Sequence, residues 1–452
     1  MRTPRTARVA QTRPPGPRGS LLSGNLAAYE ADRLGFLTRL RDEYGAVARL
    51  APRSTAINDA APALEILRDR SGAFDVRDNF LQQRINSQEM TDRLAPRPLL
   101  NAALRARTSQ GVAALLADKL LDAFEDARPA SGGMNPTPVL EQAFSQALSQ
   151  FYFGSGADNI AATVGALLDE LGLIIGNPFA LPAWVRSPTR RNIEHLYRAV
   201  REPVVAALEA RAADPGRFHD AAAKMMASNS SHTISRIADM VIGALLAGHR
   251  VPAAGGAWLL MLLSQHADVQ EAVRAELRAM PSKRHTEMNL VARVVMEGLR
   301  LYPPTWMITR TAQTDVDVQG WHFKRGHNFL ISPYVIHRDE SFFVDAARFL
   351  PDRWLEYRPA QAAFLAFGAG IHLCPGRNLA QVLLRAAVAT AVTNYNIRPA
   401  PGKISANPRT TLLPDGLRLH LTPLSDPLAS GPVQGPGQPR QARTFFGDPV
   451  SA

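Results

Sequence analysis

One cysteine, Cys374, stands in a chain of 452 residues. Whatever the chain folds into is therefore held without an internal disulfide, by core packing alone. With 46% hydrophobic and 20% charged residues, the chain has the composition of an ordinary globular protein long enough to bury a large core. A lone thiol is either a small buried hydrophobe or a reactive group. Its surroundings, AFGAGIHLCPGRNLA over residues 366–380, favour reactivity. Glycine costs a regular element about 0.5–1 kcal/mol, so Gly368, Gly370 and Gly376 predict a bent chain pressed against something flat or close. The next stretch, NLAQVLLRAAVATAV, has helical apolar spacing. Cys374 then lies in a loop just ahead of a helix N-terminus, where open amides and the helix dipole favour a thiolate.

The rest of the chain reads as mainly α with small β-sheets. An amphipathic helix is expected from Ala27 to Tyr44, followed by a short strand in GAVARLAP. Helical patterns recur at 111–127, 139–153, 158–176, 190–212, 233–247, 253–280 and 286–301. Alternation appears in DVDVQGWHFKRGHNFLISPYVI and again in TTLLPDGLRLHLTPL, as small sheets require. No linker divides residues 23–424, which read as one domain. Residues 1–22 form a basic, proline-rich leader and residues 425–452 a Gly/Pro-rich tail, both of disordered composition.

Several function classes are disfavoured. The most apolar stretch, MVIGALLAGHRVPAAGGAWLLMLL, is interrupted by His249, Arg250 and Pro252 before it reaches the roughly 18 residues of a membrane span; it reads as a buried core helix, with no membrane role. The leader lacks the serine of a transit peptide, so a cytoplasmic, bacterial location is expected. Net charge is +11, but no Lys/Arg run interleaves with aromatics, so nucleic acid is not an expected partner. A basic face that docks an acidic protein fits better. A monomer is expected.

The string Phe367, Gly370, His372, Cys374, Gly376 resembles the haem-binding loop of the cytochromes P450. Further motifs follow that family's chain order: PPGP near the start, EGLR with Glu297 and Arg300, WMITRTAQTD with Arg310, IHRDE, and FLPDRW with Arg353. The resemblance covers nearly the whole chain and implies the cytochrome P450 fold. It implies haem b, with Cys374 as the proximal iron ligand and Phe367, Gly368 and Gly376 shaping its loop. His372 and Arg310 would meet the propionates, and Glu297, Arg300 and Arg353 would form a folding scaffold behind the haem. Arg93 and Arg97, in EMTDRLAPRPLLNAALRAR, stand where the family often has propionate-binding residues, although Pro96 and Pro98 should disturb a helix there. Thiolate ligation pushes electron density onto iron, and nearby N–H donors tune that push; Pro375 removes one such donor.

The chain departs from the family where its long central helix carries an Ala-Gly-x-acid-Thr motif. Here the sequence is ALLAGHRVPAAGG. Ala247 and Gly248 match, but Arg250 replaces the acid, Val251 the threonine, and Pro252 follows. Neither Val nor a permanently charged Arg can act as a general acid. His249 is either a proton donor or a packing residue. Arg250 either pairs with a nearby carboxylate or grips a substrate carboxylate, and Pro252 is expected to kink the helix. Pocket-lining candidates implied by the resemblance are Phe80, Leu81, Ala244, Gly248, Thr305, Trp306, Met307, Ile308 and Leu413.

Two functions follow. One is monooxygenation of a small, largely apolar secondary metabolite, terpenoid or prenylated-aromatic, with or without a carboxylate, supported by ferredoxin and ferredoxin reductase. The other drops dioxygen activation: peroxide, or a substrate with an activated N–O or O–O bond, drives cyclisation, rearrangement, dehydration or atom transfer. A haem sensor or carrier is a third class, for which an unreactive distal side would be expected.

Overall fold

The structure is a computed structural model and describes residues 13–20, 24–76, 106–127, 132–154, 158–175, 187–228, 233–279, 289–356 and 363–425. The chain opens with α1 (Leu26–Ala31), α2 (Arg33–Tyr44), β1 (Val47–Ala51), β2 (Ser54–Ile57), α3 (Ala60–Leu67) and β3 (Phe74–Asp75). A helical stretch follows: α4 (Ala106–Asp126), α5 (Pro136–Phe153), α6 (Asp158–Ile175), α7 (Pro188–Ala213), α8 (Ala221–Ser228), α9 (Ile234–Gln265), α10 (Ala267–Ala279) and α11 (Leu290–Leu301). Strands return as β4 (Ile308–Ala312), β5 (Val316–Val318), β6 (Trp321–Phe323) and β7 (Asn328–Ile331), then α12 (Pro333–Ile336) and α13 (Arg353–Glu356). A 3-10 turn at Gly370–His372 precedes α14 (Arg377–Asn394), β8 (Tyr395–Pro399), β9 (Ser405–Pro408), β10 (Leu412–Asp415) and β11 (Leu419–Pro423). The expected class, helices with small sheets, is the class observed.

The elements gather into two compact units, and the last passage of the chain from one to the other falls between Cys374 and Pro375. The first holds α1–α3, β1–β7, α12 and the 3-10 turn. Its sheet runs β1-β2-β7-β4-β3, antiparallel except where β2 pairs parallel with β7. Phe329 and Ile331 of β7 and Ala56 and Ile57 of β2 are fully buried. Arg310 of β4 lies opposite Phe329 in the register.

The second unit holds the long helices, α13, α14 and two short hairpin sheets, β8–β11 and β9–β10. Helix α9 is its axis. Its N-cap, Thr233, accepts from the Arg236 amide at 3.3 Å, and every residue from Pro252 to Ser264 is buried. Trp258 stacks on Tyr302 with centroids 3.9 Å apart and planes 5° from parallel, and donates its indole N–H to the Leu412 carbonyl at 2.9 Å. Burying a large apolar side chain contributes about 1.5–3 kcal/mol, and an indole sits inside only when its N–H has a partner.

Three boundaries differ from those expected. The first helix is two, because Asp32 leaves helical geometry to accept the Gly35 amide at 3.0 Å and start α2. The expected helices at 233–247 and 253–280 redivide. Helix α9 continues unbroken through Pro252, and the break falls at His266, whose ring bonds the Leu262 carbonyl at 2.8 Å. Proline forfeits one backbone bond, and the burial of the following stretch, Pro252 to Ser264, outweighs it. Helix α11 starts at Leu290, behind Asn289, whose side-chain oxygen accepts from Ala292 N at 2.9 Å.

Candidate haem site

Cys374 hangs on a tight turn of the first unit. Gly368 N donates to Leu365 O at 2.9 Å, Leu373 N to Gly370 O at 3.1 Å, and Cys374 N to Phe367 O at 2.9 Å. Two glycines permit this path. Gly368 has φ +71° and Gly370 φ +70°, in the left-handed region that side chains avoid. A Cβ on Gly370 would also stand 2.0 Å from the Leu67 carbonyl at the end of α3. The predicted close approach is thus a backbone contact. Gly376 differs: as the N-cap of α14 it has φ −83° and ψ 7°, a conformation open to any residue. What glycine does there is withhold a capping side chain. No side-chain cap bond closes α14, so its first amides stay open three residues along the chain from the thiol.

Cys374 forms no disulfide and is half-buried. Ile371 and Leu373, on either side of His372, expose 57% and 39% of their surface. Phe367 and His372 are half-buried, and Arg310 is buried with a bond to the Thr309 carbonyl at 2.8 Å. This donor set fits an iron porphyrin: a thiol for the metal, apolar surface for the ring, and an arginine and an imidazole suited to carboxylates.

In the second unit, α9 sends its motif residues in different directions. Ala247 and Val251 are exposed and Ala244 is half-buried; at spacings of three and four they form one apolar stripe along the middle of the helix. Gly248 faces α5, where a Cβ would stand 2.5 Å from a Leu148 methyl, so glycine there serves helix packing. The His249 ring lies against Gly165 of α6, 3.4 Å from where a Cβ would sit there. Burial and the adjacent Arg250 charge push its pKa down to about 4, so it is neutral, and its Nδ1 is buried without a partner among the described residues.

Arg250 turns to carboxylates. Its Nε donates to Glu141 Oε1 of α5 at 3.1 Å, and Nη2 to Asp169 Oδ1 of α6 at 2.5 Å. Burial opposes its charge, but the two carboxylates hold it above its ordinary pKa. Burial raises the pKa of Glu141, and Arg250 only partly offsets that. Of the two readings of Arg250, the guanidinium occupies the carboxylate-paired one, with its bonds directed at the protein's own acids.

The expected scaffold is assembled in the second unit. Glu297, fully buried, accepts from Arg300 Nε and Nη2 at 2.9 and 2.8 Å and from Arg353 Nε at 3.0 Å. Sequence reasoning missed two further donors to it, Trp354 Nε1 at 2.9 Å and Leu350 N at 3.0 Å. The signal was present in FLPDRW, since a buried indole requires an acceptor.

The pocket candidates divide. Thr305 is exposed, and Met307 and Ile308 are half-buried in the first unit, with Tyr29 Oη 3.5 Å from Met307 Sδ. Leu413 is half-buried in β10 of the second. Trp306, 2% exposed, is buried in the core of the first unit. Phe80, Leu81, Arg93 and Arg97 lie outside the described residues.

A helix-rich fold with one thiol on a glycine turn at the head of a helix is the arrangement of haem-thiolate proteins. The cytochrome P450 family model matches residues 14–420, and the chain belongs to that family, which implies haem iron with a cysteine thiolate ligand. Pentalenene oxygenase of Streptomyces avermitilis is 33% identical over 202 residues, 42% of this chain and 44% of that protein. Lanosterol 14-alpha demethylase of Bos taurus is 28% identical over 248 residues, 52% of this chain and 49% of that one. The chain thus spans about half the length of these relatives. Cyclooctat-9-en-7-ol 5-monooxygenase of Streptomyces melanosporofaciens is 25% identical over 361 residues, 74% of this chain and 77% of that protein. Among solved structures, the retinoic acid bound cyanobacterial CYP120A1 superposes with TM-score 0.76 at 19% identity, covering 92% of this chain and all of that one.

Proposed function

We propose that the protein is a haem-thiolate oxidoreductase that transfers oxygen to a small, largely apolar metabolite of terpenoid class. The observation that carries this reading is Cys374: a half-buried thiol on a positive-φ glycine turn, its own amide spent on Phe367, just ahead of a helix without a side-chain cap. Haem, bound through that thiolate, supplies the oxidising chemistry. The protein's own contribution is to keep the sulfur anionic and to meet the propionates with Arg310 and His372. The names of the Streptomyces relatives support the terpenoid class. Arg68 and Arg70 are exposed just beyond α3, with the Arg68 backbone against Gly370 of the thiol loop, which suits docking of an acidic ferredoxin. Reversing both charges should weaken reductase-supported turnover at low salt and leave substrate binding unchanged.

A second reading is favoured by one specific observation. The α9 stripe bears neither acid nor hydroxyl, while Arg250 and His249 face α5 and α6. A central helix with Val251 where the family carries a hydroxyl suits peroxide or a substrate with an activated N–O or O–O bond. Turnover of neutral terpenoids under three regimes separates the readings: oxygen with a reductase chain, peroxide alone, and neither. Product only in the first supports monooxygenation. Product without oxygen and electrons supports the second, and absence of a thiolate-type carbon monoxide spectrum sinks both.

A further inference from the structure

The loop that presents Cys374 has a root, and the root is held by a side chain the catalytic reading does not use. His337, fully buried, accepts the Leu365 amide on its Nε2 at 2.7 Å. Leu365 is itself 1% exposed, so this amide needs a partner from the protein. From there the bonds run in sequence toward the thiol: Leu365 O accepts from Gly368 N, and Phe367 O accepts from Cys374 N, each at 2.9 Å. The imidazole is fixed on its other sides. Its face stacks on Phe364 at 5.3 Å and 7°, and Phe343 meets it edge-on at 6.2 Å and 75°. Its backbone caps α12, with His337 N bonded to Pro333 O at 2.8 Å. That helix is tied in turn by Ser332 Oγ, which donates to Trp306 O at 2.9 Å.

We propose that His337 is the positioning residue of the thiolate loop, its imidazole setting the height and angle at which Cys374 is offered to the iron. The inference rests on the haem-thiolate reading. Accepting at Nε2 requires the neutral ring with its proton on Nδ1. Leucine in place of His337 keeps apolar volume and removes the acceptor, leaving a buried amide that must find another partner by moving the turn. Glutamine restores an acceptor oxygen near the former Nε2.

The test uses the holoenzyme and reads the reduced carbon monoxide complex, in which thiolate-ligated haem and haem with a displaced or protonated thiol absorb at different wavelengths. His337→Leu is expected to shift the ratio of the two forms about tenfold toward the displaced one, with a change in reduction potential. His337→Gln should recover most of the thiolate form. Leu208→Ala, in the fully buried face of α7 in the other unit, serves as a control for general destabilisation and should leave the ratio at its wild-type value. A wild-type ratio in His337→Leu, or an equal shift in Leu208→Ala, overturns the proposal. Wild-type protein that shows no thiolate form at all overturns the haem-thiolate reading, and this inference with it.

Discussion

Two arginine–carboxylate clusters in the helical unit use the same chemistry to opposite ends. Around Glu297, one carboxylate receives two arginines, an indole and a backbone amide, with Glu297 and Arg300 fully buried. Around Arg250 the ratio is inverted: one guanidinium serves two carboxylates, and Asp169 is 74% exposed. The first cluster has its charges dehydrated and its hydrogen-bonding capacity filled, so removing any member strands the others. The second keeps one end in water, where a lost partner is replaced by solvent. A cluster of the first kind fixes a fold, and one of the second kind can be altered without losing it.

The largest expected effect is therefore at Glu297. Glu297→Gln should cost about 3–5 kcal/mol, seen as a lower denaturation midpoint and poor recovery of folded protein. A loss no larger than that of Arg250→Gln would break the comparison.

Next comes His249. Its folded pKa of about 4 lies below the ordinary 6.5, so the unfolded chain binds the extra proton between those values. Stability from keeping the ring neutral is present above pH 6.5 and is lost as pH falls toward 4, on the order of 2–3 kcal/mol. His249→Phe should flatten that acid limb in urea titrations across the window; an unchanged slope would show that the ring titrates normally.

Arg250→Gln should cost about 1–2 kcal/mol at neutral pH, with a sign set by Glu141. Burial already raises that carboxyl above its ordinary pKa, and it would rise further without the guanidinium. A raised acid pKa means that the folded state binds the proton more tightly, so stability falls as pH rises through the interval. The deficit against wild type should accordingly shrink at acid pH, where Glu141 is protonated. Asp169→Asn should cost the least, under about 1 kcal/mol, and the cost should fade at high salt.

Much of this was legible beforehand because it depends on local pattern. The helical period after Cys374, the glycines at 368 and 370, and the Glu297–Arg300 spacing each encode a short-range geometry that the structure retains. The failures share a cause. The helices expected at 233–247 and 253–280 were parted at Pro252 on its residue type, yet the helix runs through it, with every residue from Pro252 to Ser264 buried. Gly376 was read as conformational when its backbone is ordinary and its effect is the missing cap.

The sequence by itself determined that the chain is cross-link-free, helix-dominated and built to offer one thiol at the head of a helix, since these follow from residue type and period. Only the tertiary structure decided where Arg250 spends its charge, that Gly248 serves helix packing, and that His337 roots the thiol loop. Those contacts join Arg250 to Glu141, Gly248 to Leu148, and His337 to Leu365, residues 28 or more positions apart in the chain. No local period carries that information, because partners at such separation are chosen by packing of the whole core.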